Sequence, residues 1–425
     1  MSPPIGRPRH VRSGLAAAIV LGGSARGAAA DPIVLRGDAL ATTAAPAGLL
    51  TLSADGDAGP GLSAEAVVWT GSTGSTAGDR AYGDVLVIAL HARTRDGRVR
   101  GTVGRFLATL GALRPVQVDG ARGRVELPHR FTIEAFAGIP VLPELTTSRT
   151  WDWVAGGRAS RRIGDWGSAG LAVLEQRADG ALVTEEVGVD AGASLGKHDD
   201  LAGKLAYDLA NPGLAEATLT ASDRRGALRS ELYATYLAAS HILPATSLFT
   251  VLGDVASVRV GTTLTWRAAP RLDVTGDLAL RRSDGDAIDG PATTAAARTA
   301  GTASDIGEVL APDVTLRATL RLDDRGASAL GGELRREGGG DAGWTGARAT
   351  VRIALPYALA ATSELELVIP DHDVGLGRVW PWVLAAVSRS WGPWHAAVAL
   401  EAQASPEDRR RLDALAQLGR TWGTR

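Results

Sequence analysis

The sequence predicts an all-β protein: a transmembrane, antiparallel, up-and-down β-barrel of about 16–22 strands, with 22 the best count, behind a cleaved signal peptide. Three observations carry that prediction. They are a secretory leader, apolar/polar alternation with a period of two along most of the remaining chain, and a regular rhythm of short turns and longer loops.

The leader comes first. Arg7, Arg9 and Arg12 form a basic head, residues 15–21 are a short apolar run, and Ala28-Ala29-Ala30 is a small-residue exit before Asp31-Pro32. That order is a signal-peptide pattern, and the run is far shorter than the roughly 20 apolar residues of a spanning helix. The expected division is therefore a signal peptide at 1–30 and a single barrel at 31–425. No later stretch is apolar enough to cross a membrane as a helix, so any crossing must be made by strands.

Composition narrows the classes. With 0 Cys the chain has no disulfide framework, no thiolate metal site and no covalent haem attachment. A net charge of −2 argues against a nucleic-acid partner, which needs a basic face. The 53 Gly suit turns and strands and would penalise helices.

Alternation then defines the strands. In 258–266, Val258, Val260, Thr262, Leu264 and Trp266 share one face, while Arg259, Gly261, Thr263 and Thr265 share the other. The same division recurs at 272–281, 313–323 and 347–355, and nearer the N-terminus at 130–135 and 216–222. Successive strand residues point to opposite faces, so each segment has one apolar and one polar side. A soluble sheet with one wet face would share this pattern, but here the apolar faces outnumber what one sandwich core would use. Tryptophan adds weight: 11 Trp outnumber the 5 Tyr and 4 Phe, and Trp69, Trp153, Trp266, Trp344, Trp380, Trp394 and Trp422 fall at strand ends. An indole there buries its ring in lipid and keeps its N–H wet, as in an aromatic belt.

Connections follow in alternation. Read back from Trp422, loops at 404–411, 370–378, 336–343, 282–312 and 237–256 alternate with turns at 388–393, 355–357, 323–326, 268–271 and 223–226. Carried to Val34, the rhythm gives 22 strands of about 8–10 residues with both termini at one end. It also requires Ala178-Asp179-Gly180 to be a tight turn at the end that carries the longer loops.

With leader, alternation and rhythm in place, the mature chain resembles bacterial outer-membrane β-barrel proteins of the porin-like kind, an architectural likeness spanning nearly its whole length. The resemblance implies the outer membrane of a Gram-negative bacterium, contact with its lipid, and a lumen as working site. Many such barrels end on an aromatic residue, whereas this chain ends Trp422-Gly423-Thr424-Arg425.

Motifs for chemistry are sparse. Gly192-Ala193-Ser194-Leu195-Gly196-Lys197 is one residue short of a phosphate loop and reads more simply as a turn. Asp284, Asp286, Asp289 and Gly290 sit in the longest loop, but the third acid falls one place late for a calcium loop. The His residues show no ligand spacing, so the expectation is no enzyme, no metal and no cofactor.

The lumen remains. Arg259, Arg281, Arg317, Arg321, Arg348 and Arg352 lie on the polar faces, as do Asp273, Asp277, Asp313, Glu364 and Glu366. An Arg facing lipid at mid-depth costs about 2–4 kcal/mol, so these side chains are expected to line the pore or to pair across the lumen. Both signs are present, which predicts weak ion selectivity. Two functions fit: porin-like passage of small solutes, or a sheath holding a periplasmic or redox partner protein. A barrel-embedded hydrolase would need a Ser/His or Asp/His group at the rim. The apolar loop at 237–254 is a candidate to fold inward, although packing on the rim is the simpler reading.

Overall fold

A computed structural model describes residues 34–42, 47–73, 80–141, 152–238, 256–283, 309–338, 343–371, 379–404 and 411–422. The expected signal peptide at 1–30, the acid-rich segment at 284–290 and most of the apolar loop at 237–254 lie outside them.

The described chain forms one 22-stranded antiparallel sheet in which each strand pairs with its sequence neighbours. The sheet closes because β1 (Val34–Thr42) also pairs with β22 (Arg411–Trp422), from Leu35 opposite Trp422 to Thr42 opposite Leu415. Closure leaves no unpaired edge. The order of strands, their number and the even count are those expected from the turn rhythm. Strand lengths differ: β4 (Arg80–Arg93) and β10 (Ala181–Ser194) each run to 14 residues. The alternating signal reports only the stretch that is apolar on one face, while ladder hydrogen bonding continues beyond it.

The alternation in sequence becomes an alternation in exposure. On β14 (Ser257–Ala269), Val258, Val260, Leu264 and Trp266 are exposed on the convex outside, with Leu264 at 47%. Arg259, Thr263 and Thr265 are more sheltered on the concave side. The outward apolar face continues through Leu278 and Leu280 of β15 (Leu272–Ser283), Leu316 of β16 (Val309–Arg321) and Leu334 of β17 (Ala329–Glu337). A ring of exposed aliphatic side chains is unstable in water and stable in hydrocarbon.

Turns obey local chemistry. Between β9 (Gly167–Ala178) and β10, Asp179 at φ 52° and Gly180 at φ 76° are both left-handed, the requirement of a two-residue hairpin turn that matches strand twist. After β16, Asp323 accepts hydrogen bonds from the backbone N–H of Ala327 at 3.0 Å and of Ser328 at 2.5 Å. Those bonds, that from Ala327 foremost, hold the Asp323 carboxyl below the usual aspartate range. The phosphate-loop-like stretch is the end of β10 and the turn after it.

Candidate functional site: the barrel lumen

The concave face is charged and almost continuously paired. On one side of the wall, Asp277 accepts from Thr263 Oγ1 at 2.7 Å, Arg259 at 2.9 Å and Tyr233 Oη at 3.0 Å. Asp313 lies 3.7 Å from Arg281 and 3.9 Å from Arg259. Arg321 reaches Asp273 at 3.0 Å. Further round, Glu333 accepts from Arg317 at 2.5 Å and from Arg335 at 2.7 Å, and Arg335 also reaches Glu366 at 2.5 Å. Arg348, on β18 (Trp344–Leu355), pairs with Glu364 on β19 (Leu359–Pro370). Arg352 turns toward the end that carries the termini and donates to the carbonyls of Gly326 at 2.5 Å and Ala327 at 3.1 Å.

All ten residues expected to line the pore therefore lie on the inward face. The structure joins them differently from one of the two expected modes. Pairs form along the wall, within one strand (Arg335 with Glu333) or between adjacent or next-but-one strands, and none described here crosses the lumen. A barrel of this circumference holds its opposite walls farther apart than two side chains can reach.

The opposite part of the wall carries something different. Between β5 (Val99–Ala108) and β6 (Val116–Leu127), residues 109–115 fold back into the lumen and lie as a shelf against β8 (Trp153–Ile163), β9 and β10. Leu110, Ala112 and Leu113 are buried, and Leu110 and Leu113 join Phe106, Val116, Val118, Phe136, Val154 and Leu174 in the main apolar core of the described chain. Such close approach needs bare backbone in the wall. A Cβ on Gly188 would sit 2.7 Å from Leu113 and 3.1 Å from Ala112, and one on Gly156 would sit 2.8 Å from Leu110.

The shelf is anchored by charge. Arg114 Nε lies 2.9 Å from Glu186, whose side chain is 1% exposed against 10% for that of Arg114. Arg114 Nη2 also donates to Thr184 Oγ1 at 3.0 Å. Beside the shelf, Arg158 donates to Asp190 at 2.5 Å, and Arg122 to Glu134 at 2.5 Å. Sequence reasoning missed this segment. Its only local signals were an arginine in an apolar loop and glycines at inward positions of β8 and β10.

Tryptophan placement is divided. Trp153 and Trp266 are exposed on the outside near strand ends. Arg420 packs between the rings of Trp394 and Trp422, 4.8 and 5.0 Å from their centroids, next to the closing seam. Trp344 and Trp380 do not join a belt. Trp344 shares the inward parity of Arg348 and sits 5.3 Å from the Arg335 guanidinium, and Trp380 shares that of Trp382, whose indole donates to Glu401 at 2.7 Å. A guanidinium at the lumen wall offers the indole a cation–π partner.

The chain has no match among protein-family models and none of significance among curated proteins. Solved structures do resemble it. The ferric enterobactin receptor PfeA of Pseudomonas aeruginosa aligns with a TM-score of 0.60 at 8% identity, covering 93% of this chain and 82% of that one. The siderophore receptor PirA from Pseudomonas aeruginosa aligns at 0.53 and 10% identity, covering 92% and 80%. A chain of the E. coli P pilus tip assembly intermediate PapC-PapD-PapK-PapG aligns at 0.51 and 12% identity, covering 94% and 62%. At such identities the likeness is one of fold: a closed barrel of the outer-membrane type.

Proposed function

We propose that this protein resides in the outer membrane of a Gram-negative bacterium, after removal of residues 1–30, and that its lumen passes small solutes without chemistry. The observation that carries the reading is the two-faced wall. Aliphatic side chains cover the outside, while paired charges and hydroxyls cover the inside, so water is retained where lipid is excluded. The shelf at 109–115 narrows the passage from one side, and a near-neutral paired lining offers no strong preference for either ion sign. The fold it shares with two receptors named for ferric enterobactin and siderophores supports the membrane placement.

A second reading, a sheath around a partner protein, is favoured by size. A 22-stranded ring encloses more room than side chains fill, and among the described residues only the shelf turns into it. Purified protein in a planar bilayer separates the two. Stepwise conductance with little ion selectivity supports passage. A silent barrel that brings a stoichiometric protein through purification overturns passage and favours the sheath.

A further inference from the structure

On β17, Gly331 stands opposite Thr319 of β16 on one side and Thr350 of β18 on the other. The inward row Thr319–Gly331–Thr350 therefore lacks its middle side chain. One row along, Arg317, Glu333 and Arg348 stand side by side in the same manner. The result is a hollow of about 270 Å³, floored at Gly331, over which the Thr350 hydroxyl lies, and walled by Arg317, Thr319, Glu333 and Arg348.

We infer that this hollow holds one hydroxyl-rich, uncharged solute unit, a sugar or comparable polyol, on its way through the lumen. The inference rests on the passage reading. Its chemistry follows from the donors and acceptors present. A guanidinium carries five N–H donors and accepts nothing. Arg317 directs its described bonds at Glu333 yet keeps 58% of its side chain exposed, so it retains donors facing the lumen. Arg348 pairs with Glu364, while its buried Nε makes no hydrogen bond among the described residues. Glu333 lines the hollow with a carboxylate that is 7% exposed and already accepts from Arg317 and Arg335, so it has about one of its four lone-pair positions left, and each Thr hydroxyl both donates and accepts.

An anion entering the hollow would be held by guanidiniums already committed to carboxylates and would face Glu333. A cation would face two guanidiniums. A hydroxyl group donates to the carboxylate and accepts from the guanidinium or threonine at once, so a neutral polyol satisfies both kinds of wall group without displacing an ion pair. The volume suits a single ring-sized unit rather than a chain.

The test is equilibrium titration of the folded barrel, in an amine-oxide detergent free of sugar headgroups, with three probes of similar size: glucose, gluconate and glucosamine. Glucose is expected to bind saturably and more tightly than either charged probe. Gly331→Val puts a side chain where the Thr350 hydroxyl lies, forces that hydroxyl to move, and is expected to weaken glucose binding about tenfold or more, the scale of a lost hydrogen bond or two. Thr350→Val keeps the shape, removes one hydroxyl, and is expected to weaken it several-fold. Heat-shifted gel mobility verifies that each variant is folded, and Thr350→Val keeps the test alive if Gly331→Val does not assemble. No saturable glucose binding, tighter gluconate binding, or unchanged affinity in both variants overturns the inference. Conductance measured on the same samples separates the two claims: an open pore without glucose binding removes the hollow alone, and binding by a barrel that never conducts removes the passage reading.

Discussion

Removing the shelf anchor gives the sharpest test of the lumen architecture. In Arg114→Ala, Glu186 loses the guanidinium 2.9 Å away while remaining 1% exposed. Breaking a buried pair from one side costs about 3–5 kcal/mol, because the remaining charge keeps its desolvation penalty without its partner. The bond to Thr184 adds about 1 kcal/mol. The protein can recover most of this by letting residues 109–115 leave the wall so that water reaches Glu186. The loss should then appear as local opening rather than global unfolding. Ala112, 1% exposed in the shelf, reports it: with 0 native Cys, Ala112→Cys provides a single thiol. Its labelling by a charged reagent should be slow in the parent background and faster by about three to four powers of ten with Arg114→Ala, the equivalent of that energy. Adding Glu186→Leu to Arg114→Ala removes both charges and should restore most of the protection, since an apolar replacement of a buried pair is often neutral. Unchanged labelling in Arg114→Ala, with an unfolding free energy within about 1 kcal/mol of the parent, would place the pair among solvated surface bridges and refute the buried-anchor argument.

Three further outcomes follow from the same geometry. Thr263→Cys should react with a charged thiol reagent in intact membranes and Leu264→Cys should not, because only the former shares the inward face of Asp277; equal labelling of both removes the bilayer from this strand. Gly180→Val forces a β-branched side chain to φ 76° and should cost about 1–2 kcal/mol in urea unfolding from lipid vesicles, with no loss contradicting the two-residue turn. The Asp323 carboxyl is depressed in the folded state, so its contribution is present above the ordinary aspartate value and is lost as pH falls through the lower folded value. An NMR titration of that carboxyl should place its midpoint below that of an unstructured aspartate, and a midpoint at or above it refutes the turn hydrogen bonds.

Much of this fold is written locally. Whether Leu264 or Thr263 faces outward depends on parity within one strand, and parity is a property of neighbouring residues. Asp179-Gly180 declares its own turn because both positions tolerate left-handed backbone. Strand number followed from such turns, and the inward placement of Arg259, Arg317 and Arg348 followed from the cost of charge in hydrocarbon.

Only the closed tertiary structure decided which groups meet. Glu186 is buried because residues 109–115, far away in sequence, fold onto the inner wall and bring Arg114 to it. Trp344 sits at a strand end as a belt residue would, but its parity turns it to Arg335 inside. The ion pairs run along the wall instead of across the lumen, because the circumference of 22 strands sets the opposite wall out of reach. Parity along a strand is a short-range property that sequence specifies by itself, whereas contact between distant strands depends on register, closure and curvature, which arise only when the whole ring is assembled.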